Sequence, residues 1–197
     1  VDTTAATGTW SYSSADTEVI SISSTKFDVG NAGSSVVTAT FTPSNTTNYV
    51  SGETITITVT VRRANQAALT ISSTSGTYGT DLTLTTTGGS TSGAITWGVT
   101  NGTATGCSIT SGKLSSTTIG TCTVTATMAA NDNYNSVTNS GTTVTINTKP
   151  ITVTAVAKAK TYGDPDPALT YTTAIGALVG SDTLTGTPTR VTGETVG

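Results

Sequence analysis

Few residues of this sequence could do chemistry: two cysteines, scattered acids and no histidine. Cys107 and Cys122 flank a predicted hairpin at two strand-like positions. Such a pair favours a cross-strand disulfide, which requires an oxidising compartment. A metal site is the less favoured alternative, because two thiols without an imidazole make a poor ligand set.

The acids are scattered rather than paired, except for Asp164 and Asp166, which flank Pro165 in a predicted turn. Aspartates in turns usually cap backbone amides, which is the interpretation we favour. The alternative is a Ca²⁺ site completed by backbone carbonyls, which needs more oxygen ligands than the motif supplies. Asp132, in the turn Asn131-Asp132-Asn133, is treated in the same way.

Lys26 and Lys113 each lie between apolar neighbours at matching positions of the chain. A buried lysine could form a covalent link to an asparagine beside an acid, but no acid has a matching place near both. Exposed lysines are therefore expected. Without histidine or paired acids to act as acid and base, we expect no enzyme, no cofactor and no metal.

The composition predicts an all-β protein. Charged residues make up only 10% of the chain, the net charge is -3, and threonine alternates with valine, isoleucine and leucine. β-Branched residues in two-residue alternation suit a half-buried pleated sheet. The few cations are scattered, which argues against nucleic acid as a partner. The sequence has no run of about 18 apolar residues, so membrane insertion of this fragment is not expected.

An internal repeat organises the chain. An offset of 87 positions superimposes Trp10 on Trp97, Ile22 on Ile109, Lys26 on Lys113, Phe27 on Leu114 and Gly33 on Gly120. It also lays Val37-Thr38-Ala39-Thr40-Phe41 on Val124-Thr125-Ala126-Thr127-Met128, and the offset becomes 85 at Asn48-Tyr49 and Asn133-Tyr134. Thr77-Tyr78-Gly79 recurs as Thr161-Tyr162-Gly163. These matches predict repeats joined by the short linkers 62–66 and 147–150.

The predicted bounds are 1–66, 67–149 and 150–197, called here the first, second and third repeats. By comparison with the second repeat, the first is expected to lack its first strands and the third to be the first half of a unit. Strands are predicted in the second repeat at 68–73, 82–86, 94–99, 105–110, 113–116, 121–128 and 142–148. Trp10 and Trp97 are expected to anchor their cores, and Ile55, Ile57, Val59 and Val61 to share one strand face.

Two resemblances follow from these motifs. The run Gly106-Cys107-Ser108-Ile109 to Gly120-Thr121-Cys122-Thr123-Val124-Thr125-Ala126-Thr127, closing at Asn133-Tyr134-Asn135, resembles Ig-like repeats of large bacterial adhesins. The run from Ile151 through Lys160-Thr161-Tyr162-Gly163-Asp164-Pro165-Asp166-Pro167 to Leu178-Val179-Gly180-Ser181-Asp182 and Gly193-Glu194-Thr195-Val196-Gly197 resembles MBG repeats of filamentous-haemagglutinin-like adhesins. Both imply tandem Ig-like β-sandwich domains in a linear array on a cell surface.

The sequence thus predicts a structural stalk or fibre segment of a large extracellular bacterial surface protein, without catalysis. The expected partners are neighbouring repeats of the same chain, copies of itself in a fibre, or host and matrix glycans or proteins. Two alternatives stay open: an adhesion module that binds a glycan or protein through loops at one end of a sandwich, and a filament subunit completed by strand addition.

Overall fold

The computed structural model describes residues 6–174 and 176–193, and all regular structure among them is β-strand. The first repeat contains β1 (Gly8–Ser14), β2 (Ile20–Ser23), β3 (Lys26–Val29), β4 (Gly33–Pro43) and β5 (Glu53–Val61). The predicted all-β class is confirmed. Because these residues form no helix, none of them provides a helix able to span a membrane.

The second repeat contains ten strands: β6 (Leu69–Ile71), β7 (Ser75–Thr77), β8 (Leu82–Thr83), β9 (Thr86–Gly88), β10 (Ile95–Asn101), β11 (Ser108–Thr110), β12 (Lys113–Ser115), β13 (Gly120–Met128), β14 (Val137–Thr138) and β15 (Thr142–Asn147). The third contains β16 (Val153–Ala155) and β17 (Tyr171–Thr173). Each of the seven strands predicted for the second repeat overlaps an observed one. The sequence missed β7 and β14, and the single strand predicted at 82–86 covers β8 and the first residue of β9. Strands of two or three residues are too short to show alternation by themselves.

The strands form several small sheets. In the first repeat β1, β4 and β5 lie side by side in the order β1-β4-β5, and β2 pairs with β3. In the second repeat the order is β10-β13-β15-β7 with β14 beside β13, while β11-β12-β8 and β6-β9 form two further sheets. β16 pairs with β17 in the third. Several small sheets of this kind agree with a β-sandwich-like fold.

The strand registers follow the two sequence offsets. β4 and β5 are antiparallel with Ser35 opposite Val59, and β13 and β15 are antiparallel with Cys122 opposite Val144. Residues of β13 therefore correspond to residues of β4 at an offset of 87, and residues of β15 to residues of β5 at an offset of 85. With these offsets, corresponding residues face each other in the two repeats. The two-residue loss falls in the connecting loop, where insertions and deletions cost little.

The chain divides into two compact units, each described here by itself. The first comprises Val1–Thr70, Thr87–Thr96 and Ala126–Asn139, and the second comprises Ile71–Thr86, Trp97–Thr125 and Ser140–Gly197. These units group segments by proximity in space rather than by order along the chain. The bounds of the three repeats therefore remain a sequence prediction.

Each unit has a small aliphatic core, because alternate strand residues point inward. In the first unit Val19, Ile20 and Val37 are buried, and Ile22, Val59 and Val61 pack against them. In the second unit Leu114, Cys122, Val124 and Val144 are fully buried. The intervening threonines and serines lie on the outer face, where their hydroxyls pair across strands, as between Thr127 of β13 and Thr138 of β14. These hydroxyls make the outer face of the sheets hydrophilic although it carries few charged residues.

The tryptophans do not anchor the cores as predicted. Trp10 is 48% exposed and contacts Phe41 with ring centroids 5.1 Å apart, while Trp97 is only partly buried. The prediction for Trp10 is wrong because no residue of β1 is buried on either face. Strand alternation places a side chain on a face, but only a second layer over that face buries it.

Candidate functional site: the joints between repeats

The predicted disulfide is present. Cys107 and Cys122 are bonded, with their Cα atoms 6.1 Å apart. Cys122 lies in the middle of β13 and is fully buried, whereas Cys107 lies in the loop before β11. The pairing was therefore correct, but the bond joins a strand to a loop rather than two strands. It fixes the entry to the hairpin β11-β12 against the central strand.

The first repeat holds the same place together without sulfur. Ile20, the counterpart of Cys107, is buried with Val19 and Val37. Ser35, the counterpart of Cys122, accepts a hydrogen bond from the amide of Asp16 at 2.9 Å, and its Oγ lies 2.7 Å from Oγ of Ser14. Apolar contact and a buried hydroxyl thus take the position of the covalent bond.

Both lysines at the matching positions are exposed. The side chain of Lys26 is 76% exposed, and its Nζ lies 2.7 Å from Oδ1 of Asp28 on the same strand. Lys113 is exposed as well. Neither lysine is buried, so neither has the setting that a covalent link to an asparagine would require.

Asp166 is held by two cations. Its carboxylate lies 2.8 Å from Nζ of Lys160 and 2.7 Å from Nη2 of Arg190, and Nε of Arg190 also donates to it. Asp164 is exposed in the turn, where its amide donates to the carbonyl of Thr161. Among the described residues, 6–174 and 176–193, no three Cys, Asp or Glu side chains lie close enough together to hold a metal ion.

The two cations make Asp166 acid-sensitive. The hydrogen bonds from Lys160 and then Arg190 lower the pKa of the Asp166 carboxyl below its usual 3.8. A lowered folded-state pKa stabilises the fold above the unfolded-state value of about 3.9, and this stabilisation is lost as the pH falls through the folded value. Lys160→Gln or Arg190→Gln should raise the pKa of Asp166, measured by carboxyl NMR titration. An unchanged titration in both variants would contradict the ion pairs.

The linker between the first and second repeats is bonded to a loop of the second. The Ala64 amide donates to the carbonyl of Asn133, and the Asn135 amide donates to the carbonyl of Ala64, each at 2.9 Å. Nε of Arg63 donates to the carbonyl of Asp132 at 3.2 Å. The linker is therefore held as a parallel bridge instead of running free through solvent.

The same loop contacts the first repeat directly. Oδ1 of Asn133 accepts from the Ala32 amide at 2.7 Å, and Nδ2 of Asn133 donates to Oδ1 of Asn31 at 2.9 Å. Asn31 and Ala32 lie between β3 and β4. One asparagine side chain thus uses both its donor and its acceptor across the joint.

Gln66, the last residue of this linker, is only 8% exposed. Its Nε2 donates to the carbonyls of Ala129 and Asn135 at 3.0 and 2.9 Å. Its Oε1 accepts from the Ser90 amide at 3.2 Å and the Thr91 hydroxyl at 3.1 Å. Every hydrogen-bonding position of the amide is satisfied, so the side chain can be buried at little cost.

The joint between the second and third repeats uses a different device. The Tyr78 amide donates to the carbonyl of Asn147 at 2.9 Å, and Nζ of Lys149 donates to the carbonyl of Gly176 at 2.7 Å. Gly79 has φ +73° and lies against Val179, whose Cγ2 would overlap a β-carbon at this position. The glycine therefore permits both the turn and the close approach of Val179.

A pair of glycine substitutions separates these two roles. Gly163, the counterpart of Gly79 in the repeated Tyr-Gly motif, has φ +88° but no neighbouring atom within 4 Å of a β-carbon. Gly163→Ala should cost about 1 kcal/mol, the price of a left-handed alanine. Gly79→Ala should cost about 2 kcal/mol, because Val179 must also move. Chemical denaturation of both variants measures the difference, and equal losses would contradict the packing of Val179 on Gly79.

The sequence predicted where the joints lie but not which residues hold them. Linkers 62–66 and 147–150 are recognised by a loss of alternation, but nothing in the sequence distinguishes Gln66 from the polar residues beside it. One sequence signal was available for the loop that holds the first joint. The pair Asn133-Tyr134 recurs in the sequence only as Asn48-Tyr49 of the first repeat, which marks this loop as part of the repeated motif. Val179 gave no signal, because its contact with Gly79 is set by the fold.

Comparison with known families bears on the third repeat. Residues 151–197 match the MBG domain (YGX type). MBG domains are repeats found in extracellular surface proteins. The match confirms the MBG resemblance and includes the motif Tyr162-Gly163-Asp164, while the Ig-like resemblance of the preceding repeats stays a prediction. No curated protein was found to match the chain.

Proposed function

We propose that the chain is a non-catalytic spacer segment of an extracellular bacterial surface protein, built from Ig-like repeats followed by an MBG domain. The joint around Gln66 and Asn133 supports this proposal above all. A flexible tether would leave linker 62–66 solvated, whereas here the linker is hydrogen-bonded and one of its side chains is buried. A spacer needs rigid joints, because the end-to-end length of the array grows in proportion to the number of repeats only when the joints are rigid.

Two further observations agree with a spacer on a cell surface. The disulfide suits an oxidising compartment. The low content of charge, with hydroxyls paired across strands, gives a surface that offers few strong contacts to other molecules. We expect the partners of the chain to be further repeats of the same protein.

The rigidity of the joint can be measured with spin labels. Thr58 and Ser136 are exposed residues on either side of it within the first compact unit, and both can be replaced by labelled cysteine. We expect a narrow distribution of distances between the labels, and a broader one in the Gln66→Ala variant. A chain with Gly-Ser residues in place of 62–66 is the flexible reference. If the natural joint is as broad as this reference, the spacer proposal fails.

One observation favours the second candidate, an adhesion module. Tyr49 and Val50, in the loop between β4 and β5, are 44% and 77% exposed. Adjacent aromatic and aliphatic side chains on a loop can bind a sugar face or a peptide. A glycan array with the whole chain tests this alternative, with Tyr49→Ser and Val50→Ser as the matched control. Reproducible binding that is lost in the control would assign adhesion to this loop.

A further inference from the structure

One face of the first repeat is apolar and open. A groove of about 280 Å³ is lined by apolar and aromatic side chains of four strands: Tyr12, Phe27, Val37, Ala39, Ile55, Ile57 and Val59. Ile55 and Ile57 are 65% and 62% exposed there. β5 is an edge strand of its sheet, and β3 pairs with β2 alone among the strands of the described residues, so one edge of β3 is also unpaired. An apolar face beside two open edges is a surface suited to further strands.

The second repeat shows what this surface looks like when it is covered. Phe27 is 46% exposed, whereas its counterpart Leu114 is fully buried. Val59 is partly exposed, whereas its counterpart Val144 is fully buried. The two sheets have the same central register, so the difference arises from what lies over them and beside them.

In the second repeat, residues 69–84 close both edges. β7 runs parallel to β15 with Ser75 opposite Thr145, and β8 runs antiparallel to β12 with Leu82 opposite Leu114. The same segment supplies buried apolar side chains at Leu69, Ile71 and Leu84. It therefore extends two sheets while also adding aliphatic side chains to the core.

We infer that the open face of the first repeat binds a strand segment with the pattern of residues 69–84, supplied by the same polypeptide on the N-terminal side of β1. The repeat offsets fix its register. One strand should lie parallel to β5 beside Thr60, Val61 and Arg62. The next should lie antiparallel to β3 beside Lys26 and Phe27. Its side chains should be aliphatic at the three positions that match Leu69, Ile71 and Leu84.

The order of the chain in the second repeat favours the same polypeptide as the source. There the covering segment leads through 87–94 into β10, and β10 is the counterpart of β1. A segment joined to β1 in this way reaches the face at a high effective concentration, which a separate chain would have to match by affinity alone. The binding of this segment does not depend on the spacer role.

The experiment is a graft. A copy of residues 67–87 is placed directly before Val1 of the full chain, so that 1–7 act as the connection. The control graft has the same length and carries Leu69→Ser, Ile71→Ser and Leu84→Ser within the copy. The Thr60 amide is the site-specific readout, because the amide of its counterpart Thr145 donates to the carbonyl of Thr74 in the covering segment.

With the apolar graft we expect hydrogen exchange at Thr60 to slow by roughly tenfold or more. We also expect Trp10 to become less accessible to acrylamide, which the serine graft should not achieve.

Equal exchange in both grafts would overturn the inference. So would reversible dimerisation of the ungrafted chain, seen by sedimentation and abolished by Ile55→Thr with Ile57→Thr, because the face would then bind a second copy. Protection by the free peptide 67–87 equal to that by the graft would overturn the assignment to the same polypeptide.

Discussion

Gln66→Ala is expected to lower the free energy of unfolding by about 2–4 kcal/mol. The variant leaves two carbonyls and two donors without their partner in a place where the wild-type side chain is only 8% exposed. Chemical denaturation measures the loss. Asn65→Ala is the matched control, because the neighbouring Asn65 is exposed and its Oδ1 accepts a hydrogen bond from Asn135. Equal losses in the two variants would contradict the role of Gln66 as the anchor of the joint.

Gln66→Glu tests the direction of the same hydrogen bonds. The carboxylate would face the carbonyls of Ala129 and Asn135, which now accept from the amide, and the repulsion should raise the pKa of the new acid. A raised folded-state pKa means that the variant is closest to wild type below about pH 4 and loses stability as the pH rises through the folded value. Denaturation at pH 4 and pH 7 measures this change relative to wild type. A constant difference would show that the side chain at position 66 does not face these two carbonyls.

Loss of the Cys107–Cys122 bond is expected to cost about 3 kcal/mol, because the bond closes a loop with a sequence separation of 15 residues. The double variant Cys107→Ala with Cys122→Ala should still fold, since the first repeat forms the matching strands with Ile20 and Ser35 at these positions. Thermal denaturation with and without reductant gives the measurement.

Reduction of the wild-type chain is the control for the truncated side chains. It opens the loop while leaving both sulfur atoms in place, so the reduced chain should be as stable as the double variant or slightly more stable, owing to the packing of the buried Cys122. The double variant itself should not respond to reductant. A wild-type transition that reductant leaves unchanged would show that the bond does not limit unfolding of the second repeat.

The offsets of 87 and 85 predicted the fold well, because a repeat in sequence also repeats the pairing of strands. The alternation in Glu53–Val61 and Gly120–Met128 placed the longest strands to within a few residues. The cysteine pair could be predicted because two thiols in one repeat have only each other. The strands β7 and β14 could not be predicted, since two or three residues carry no period.

The joints show the limit of such arguments. Gln66 lies in a polar segment without alternation, so no periodicity indicates a face for its side chain, yet four hydrogen bonds allow its burial. Trp10 lies in an alternating strand, which predicts burial, yet it is 48% exposed. The burial of Gln66 and the exposure of Trp10 both depend on what distant segments of the chain do or do not place over these side chains.

The sequence by itself determined the β-class, the repeat offsets and the cysteine pairing, because each depends on residue types at short or repeated spacing. Only the tertiary structure decided that linker 62–66 is a bonded joint, that Gly79 receives Val179, and that the face around Phe27 is open. The first two features are contacts between segments far apart in the sequence, and the third is the lack of such a contact. Local residue periodicity carries no information about which distant segments meet.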